Sequence, residues 1–191
     1  MMASFMSARQ SEAILDSRMS FAEAISGTTA PPEVIKQLCI LDVHYYSFDG
    51  MLHQGQLVVS RRLAGEIADI FLKIKELRFP VDRAIPLVHY GWSDEASMAD
   101  TNTSSFNYRF VAGTTRLSRH ATGEAIDINP HQNPVIYEGG LTLPEGATYI
   151  PGAKGTLHPE SLVLQEFLSI GWKWGGHFPH ISDYHHFEKP L

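Results

Sequence analysis

Residues 118–127 read SRHATGEAID and form the densest polar segment of the chain. His120 and Asp127 stand near its two ends, and Gly123 permits a turn between them, because glycine adopts backbone angles that other residues avoid. An imidazole nitrogen and a carboxylate oxygen could then converge on one ion. A His and an Asp at this separation also occur together by chance, so the pair alone is weak evidence for a metal site.

A second polar cluster, DYHHFE, occupies residues 183–188. Imidazoles and carboxylates among aromatic residues are costly to bury unless they are paired or bind a metal, so the cluster favours a site, although a surface His pair on an edge strand is the commoner arrangement. Together the two segments offer two His and one Asp as protein ligands. Three such ligands with a fourth position left for water are typical of catalytic zinc rather than structural zinc.

Composition narrows the class of protein. The chain has 191 residues, 43% of them hydrophobic, which predicts one domain with a sizeable core. Its net charge of -6 argues against nucleic acid as a partner. Cys39 is the single cysteine, which excludes an internal disulfide and a thiolate metal cluster. No stretch approaches the ~20 apolar residues of a membrane span.

The hydrophobic pattern predicts alternating helices and strands. Residues 1–30 are polar and small and are expected to form an arm, followed by a domain over residues 31–191. The predicted helices cover residues 33–40 (with Cys39 as an inert apolar residue), 60–77 and 161–168, the last ending at Gly171. The predicted strands cover residues 41–48 and 54–59, joined as a hairpin through Asp49 and Gly50, and residues 84–90, 124–128 and 185–188. The irregular alternation favours an α+β fold with an antiparallel sheet over a doubly wound one.

These segments resemble the zinc D-alanyl-D-alanine carboxypeptidases and L-alanyl-D-glutamate endopeptidases that trim bacterial peptidoglycan. The family signature is a Ser-x-His-x6-Asp segment followed by an acidic residue three positions before a His, and residues 118–127 and 183–186 contain both halves. The likeness extends to residues 46–50, 53–59, 102–109 and 171–176. It implies a single α+β domain of the Hedgehog and D-alanyl-D-alanine peptidase type, in which helices flank a small antiparallel sheet that carries the zinc site.

Site roles follow from the resemblance. It implies that His120, Asp127 and His186 bind Zn²⁺, that Asp183 is the general base, and that Arg109 steadies charge on the carbonyl oxygen.

The choice of His186 over His185 depends on the local backbone. Neighbours in an extended strand face opposite ways, so only one is expected to reach the metal. The family spacing selects His186, provided that the chain turns or bulges near Tyr184.

Substrate contacts are expected from Ser118, Tyr108 and Trp174. Each has a plainer interpretation: a Ser before a turn often caps the backbone, and aromatic residues beside glycines often pack in a core.

The function implied by the resemblance is zinc-dependent hydrolysis of a peptidoglycan stem peptide or muropeptide, with D-alanyl-D-alanine carboxypeptidase activity first and L-alanyl-D-glutamate endopeptidase activity as the alternative. That substrate predicts a location in the bacterial envelope, in the periplasm, rather than in the cytoplasm, although residues 1–9 lack the apolar run of a secretory signal.

A non-catalytic zinc-fold binding module and an iron(II) oxygenase are the competing classes of function. Oxygenases usually place the first His and the carboxylate closer together than His120 and Asp127. The oligomeric state stays open.

Overall fold

Helices and short sheets alternate through residues 12–190, which are the residues that this computed structural model describes. The helices are α1 (Phe21–Ala24), α2 (Pro32–Ile35), α3 (Ala64–Glu76), α4 (Asp94–Ala99) and α5 (Leu162–Ser169). The strands are β1 (Ile14–Leu15), β2 (Leu38–Tyr46), β3 (Leu52–Ser60), β4 (Arg83–Ala84), β5 (Asn102–Thr103), β6 (Ala125–Asp127), β7 (Val135–Tyr137), β8 (Thr142–Leu143), β9 (Lys173–Trp174), β10 (Ile181–Asp183) and β11 (His186–Glu188). Short 3₁₀ turns cover Leu87–Tyr90, Arg119–Thr122 and Gly175–His177. The architecture is α+β, as predicted.

The longest paired element is the antiparallel hairpin β2–β3, whose register runs from Leu38 opposite Ser60 to Tyr46 opposite Leu52. Gly50 closes its turn with a φ of +79°, which confirms the predicted hairpin. The helix predicted over residues 33–40 is wrong beyond α2. Pairing with β3 draws the chain into a strand from Leu38 onward, so Cys39 lies on a strand.

The predicted long helix is confirmed as α3, although it begins at Ala64 rather than Ser60, because Ser60 still pairs with Leu38 in the hairpin. Its apolar stripe packs on the hairpin through Ile67, Ile70, Phe71 and Ile74. The second helix is confirmed as α5. Ser161 caps it by accepting a hydrogen bond from the amide of Leu164 at 3.3 Å.

The main core connects these helices to the sheet β6–β11–β9. Phe167 of α5 stacks on Phe187 of β11 with ring centroids 3.8 Å apart. In the antiparallel pairing of β11 with β6, His186 lies opposite Asp127 and Phe187 opposite Ile126. Since successive strand residues face opposite sides of a sheet, anchoring Phe187 in the core directs His186 to the other face. The strands predicted over residues 124–128 and 185–188 are therefore confirmed with slightly shorter bounds.

A turn at residues 184–185 separates β10 from β11, as the sequence required near Tyr184. Asp183 ends a strand that pairs with β7, whereas His186 begins a strand that pairs with β6. Gly175 packs closely against both: a Cβ atom there would lie 2.5 Å from the Asp183 carbonyl oxygen and 3.2 Å from the His186 Cβ atom.

The strand predicted over residues 84–90 is wrong. β4 ends at Ala84, and a 3₁₀ turn begins at Leu87. Pro86 lies between them and supplies no backbone N–H, so it cannot continue a ladder. The pairings β1–β3 and β4–β5 are parallel, and those of the sheet β6–β11–β9 are antiparallel.

Residues 12–30 pack against the hairpin. β1 pairs with β3, Ser17 donates a hydrogen bond to the Gln56 side chain at 2.8 Å, and Ala24 and Ala30 are buried beside Val58. Residues 1–11 of the predicted arm lie outside the described residues, and the boundary between arm and domain at residue 30 stays a prediction. Within residues 12–190, no helix has both the length and the apolar character needed to cross a bilayer.

Candidate active site

Three side chains from the two polar segments meet at one point. His120 Nε2 lies 3.1 Å from His186 Nδ1 and 3.2 Å from Asp127 Oδ2, and His186 Nδ1 lies 3.0 Å from Asp127 Oδ1. All three residues are buried. Two imidazoles and a carboxylate thus offer one ligand atom each to a common centre.

The spacing of these atoms fits a small divalent ion. Metal–ligand bonds of about 2.0–2.1 Å in a tetrahedral site separate the ligand atoms by about 3.3 Å, close to the spacing found here. Two neutral nitrogens and one carboxylate oxygen are a donor set that Zn²⁺ accepts, with one tetrahedral position left for water or substrate.

Local structure orients His120. Ser118 begins the 3₁₀ turn that carries it, and Gly123 ends that turn with a φ of +66°, the left-handed conformation expected for this glycine. His120 Nδ1 donates a hydrogen bond to the Ser105 carbonyl oxygen, so Nε2 carries the lone pair that faces the centre.

A contact at Nε2, the ring nitrogen that faces away from Asp127, orients His186. Glu188 Oε2 lies 3.4 Å from His186 Nε2 and favours the tautomer in which Nδ1 is free to bind a metal. Glu188 is not among the residues predicted for the site, although its position two residues after His186 on a predicted strand places it on the same face.

Mutual attraction keeps Asp127 and His186 charged in the absence of a metal. Burial would raise the pKa of Asp127, but the imidazoles of His120, His185 and His186 outweigh burial and hold it well below the usual range. Burial would lower the pKa of His186, but hydrogen bonds and charges from Asp127 and Glu188 raise it to about 10. A bound divalent ion would take the place of the proton that His186 shares with Asp127.

The three side chains form part of the wall of a cavity of about 220 Å³. Its lining also includes Arg109, Ser118, Asp183 and His185. The cavity therefore brings the predicted base and the predicted cation to the same space as the predicted ligands.

Asp183 reaches the cavity from the end of β10, with a fifth of its side chain exposed. Its Oδ1 atom is buried and lies 3.0 Å from His185 Nε2, but no hydrogen bond from the described residues is aligned on it. Burial would raise the pKa of Asp183, and the nearby imidazoles of His185 and His186 outweigh that effect and lower it. The carboxylate is thus ionised near neutral pH.

Arg109 lines the cavity and is held by an acid that sequence reasoning missed. Its Nη2 atom lies 2.8 Å from Asp94 Oδ2. The sequence around Asp94 signals only the start of α4, where Ser93 caps the helix.

Of the three predicted substrate contacts, Ser118 lines the cavity and the other two residues pack elsewhere. Ser118 lines the cavity, but its hydroxyl also accepts a hydrogen bond from the amide of His120 at 3.2 Å. Among the described residues that line the cavity, neither Tyr108 nor Trp174 is found. Trp174 is buried in the main core and donates a hydrogen bond to the Tyr184 carbonyl oxygen, and Tyr108 packs against the smaller core cluster around Val58 and Phe106.

Comparison with known proteins finds a family model that matches the part of the chain containing most of the predicted site residues. Residues 112–189 match the model of a peptidase M15 family described as D-alanyl-D-alanine carboxypeptidase. The matched segment contains His120, Asp127, Asp183 and His186, whereas Arg109 precedes it. No curated protein and no solved structure gives a significant match. The family match supports the resemblance and, with it, a peptidase of the zinc type that acts on peptidoglycan.

Proposed function

We propose that the protein is a zinc-dependent peptidase of the bacterial envelope that hydrolyses D-amino-acid-containing stem peptides, with release of a terminal D-alanine as its principal reaction. The proposal rests on the convergence of His120 Nε2, Asp127 and His186 Nδ1 in the wall of a cavity that the Asp183 carboxylate also lines. The match of residues 112–189 to a D-alanyl-D-alanine carboxypeptidase model supports the choice of substrate.

The metal would be held by His120, Asp127 and His186. When bound, Zn²⁺ supplies a Lewis acid that polarises a carbonyl group and lowers the pKa of water in its open position to ~7.

Asp183 is the proton acceptor in this scheme. Its carboxylate is ionised and partly exposed to the cavity, so it takes a proton from the attacking water and delivers it to the leaving amine. Asp183 ends a strand whose backbone packs closely against Gly175, and His186 packs against the same glycine, so the carboxylate stays close to the proposed ligand His186.

Arg109 provides the positive charge for the oxygen that becomes negative in the transition state. A cation already fixed in a poorly hydrated site stabilises such charge without reorganising. Asp94 holds that guanidinium group beside the cavity by an ion pair in which Nη2 lies 2.8 Å from Oδ2. Ser118 is the candidate hydroxyl for the substrate, since it lies beside His120 on the cavity wall.

Mass analysis of defined stem peptides tests the proposal. The zinc-loaded protein is incubated with a pentapeptide stem ending in D-alanyl-D-alanine and with the matching tetrapeptide. We expect loss of one alanine from the pentapeptide only, and no loss with the Asp183→Ala variant. Cleavage after L-alanine in both peptides would replace the carboxypeptidase assignment with an endopeptidase one, and zinc binding without any cleavage would identify a binding module.

Metal analysis of the protein purified without added ions tests the cofactor. We expect zinc at one equivalent per chain. Iron in its place would favour the oxygenase class that a ligand set of two His and one carboxylate also allows.

A further inference from the structure

His185 is a buried imidazole with a defined partner at each nitrogen. Its Nδ1 donates a hydrogen bond to the Asn133 carbonyl oxygen at 2.7 Å, and its Nε2 lies 3.0 Å from Asp183 Oδ1. Only 3% of the residue is exposed. The turn at residues 184–185 directs this ring to Asp183, whereas the next residue, His186, faces His120 and Asp127.

The acceptor at the far side of the ring is rigid. Asn133 is completely buried, and its side-chain amide donates hydrogen bonds to the carbonyl oxygens of Ile128 at 3.0 Å and Gly155 at 2.9 Å. Its side-chain oxygen accepts a hydrogen bond from the Leu157 amide at 2.6 Å. The carbonyl that fixes His185 is therefore part of a fully bonded network and can hold the ring in one orientation.

We propose that His185 is the positioning residue for Asp183: by contacting Oδ1, it fixes the rotamer of the carboxylate and leaves the other oxygen to act in the cavity. This inference rests on the proposed peptidase function. No donor among residues 12–190 is aligned on the buried Oδ1 atom, although His185 Nε2 lies 3.0 Å from it, and such an atom in a folded protein calls for an explanation. Contacts of this kind are often poorly aligned until substrate binds.

The expected effect follows from the need for geometry in proton transfer. Misplacement of a catalytic group by about 1 Å costs about 10²-fold in rate. Loss of the His185 contact should therefore lower kcat by about 10- to 100-fold, with KM and the affinity for zinc unchanged, since His185 supplies no ligand atom to the metal group.

Two substitutions separate the two ring contacts. The amide nitrogen of His185→Asn takes the place of Nδ1 and retains the bond to Asn133 without reaching Asp183, whereas that of His185→Gln takes the place of Nε2 and retains the contact with Asp183. We expect kcat of His185→Asn to fall by about 10- to 100-fold and kcat of His185→Gln to stay within about 3-fold of the wild-type value. In an Asp183→Ala background, His185→Asn should cause no further loss, because the two residues act as one unit. Equal loss of kcat in both variants, or loss that follows their melting temperatures, would overturn the positioning role.

Nitrogen NMR of the imidazole rings gives a readout that needs no turnover. In the zinc-loaded protein, the ring resonances of His185 are assigned as those that are missing in His185→Asn. The Nε2 resonance of His185 should move when Asp183 is replaced by Ala, while its Nδ1 resonance stays in place. An Nε2 resonance unaffected by Asp183→Ala would overturn the contact itself. Failure of the wild type to cleave any stem peptide would overturn the proposed function and the role of His185 in it, whereas cleavage with equal His185 variants would overturn only this inference.

Discussion

Glu188 Oε2 lies 3.4 Å from His186 Nε2, on the side of the ring opposite the nitrogen that faces Asp127. Because β11 is extended, Glu188 and His186 project from the same face of the sheet. One strand thus supplies both a candidate ligand and the carboxylate that fixes its tautomer.

Removal of that carboxylate should weaken metal binding. For Glu188→Gln we expect the dissociation constant for zinc to rise about 10- to 100-fold, as is typical when the outer partner of a ligand His is lost. Competition titration against a chelator measures this. Glu160→Gln is the control, since Glu160 is exposed and does not line the cavity. Equal zinc affinities for the two variants would show that Glu188 does not orient His186.

Metal removal should abolish hydrolysis and lower the melting temperature. A metal that binds only the folded chain stabilises it by about 4 kcal/mol when its concentration is 1,000 times the dissociation constant. We expect chelation to eliminate activity and added zinc to restore it, with calorimetry following the melting temperature. His120→Ala should contain almost no metal after purification, whereas His44→Ala, at an exposed position of β2, should retain one equivalent. A His120→Ala protein with full zinc content would contradict the assigned ligands.

A separate imidazole should make stability depend on pH. His53 Nδ1 lies 2.8 Å from Asp16 Oδ1, and its Nε2 lies 3.1 Å from Asp49 Oδ2. Burial lowers the pKa of His53, but the hydrogen bonds and charges of the two carboxylates outweigh burial and raise it above its usual value. The stabilisation is therefore complete below the unfolded pKa of ~6.5 and is lost as the pH rises through the folded pKa.

Denaturant titration of the wild type and His53→Gln at pH 5.5 and pH 8.5 checks this. The difference in the free energy of unfolding should be larger at pH 5.5, because the imidazolium ion then pairs with both carboxylates. A difference that is larger at pH 8.5 would reverse the sign of the expected linkage.

Close backbone packing at Gly175 should make substitution there costly. A Cβ atom at this position would lie 2.5 Å from the Asp183 carbonyl oxygen, so the two segments must move apart. We expect Gly175→Ala to lower the free energy of unfolding by about 1–3 kcal/mol and to reduce hydrolysis, because the shift moves Asp183 and His186.

Gly65→Ala is the control of opposite sign. Gly65 lies in α3 with open space around it, and alanine there should raise the free energy of unfolding by about 0.5–1 kcal/mol. Equal effects of the two substitutions would contradict the crowding at Gly175.

Local sequence patterns predicted much of the fold and the central part of the site. Apolar periodicity predicted α5 within one residue and the C-terminal end of α3, and the turn at Gly50 predicted the hairpin. The family resemblance carried by the two polar segments implied His120, Asp127 and His186, which the structure brings together. These features depend on short stretches of chain whose chemistry is visible in the sequence.

Features that depend on distant pairing were not predictable in the same way. The start of β2 at Leu38 is decided by its partner Ser60, and no local signal marks it. Asp94 meets Arg109 only because α4 packs beside the cavity. The sequence predicts Trp174 as a candidate substrate contact, and its burial depends on the core that α5 and β11 build around it.

The ion pair between Arg109 and Asp94 gives the last prediction. If Arg109 stabilises the transition state, Arg109→Gln should lower kcat about 10²- to 10³-fold, the usual loss for one preorganised donor, with a smaller change in KM. Arg109→Lys keeps the charge but not the planar fork that meets Asp94, so it should recover only part of the rate. Asp94→Asn releases the guanidinium group and should also lower kcat, by less than Arg109→Gln does, because the positive charge remains in the cavity.

Steady-state kinetics on the pentapeptide stem measures these effects on kcat and KM. Arg61→Gln is the control, because Arg61 is exposed. Normal kcat for Arg109→Gln would leave the guanidinium group with a structural role only.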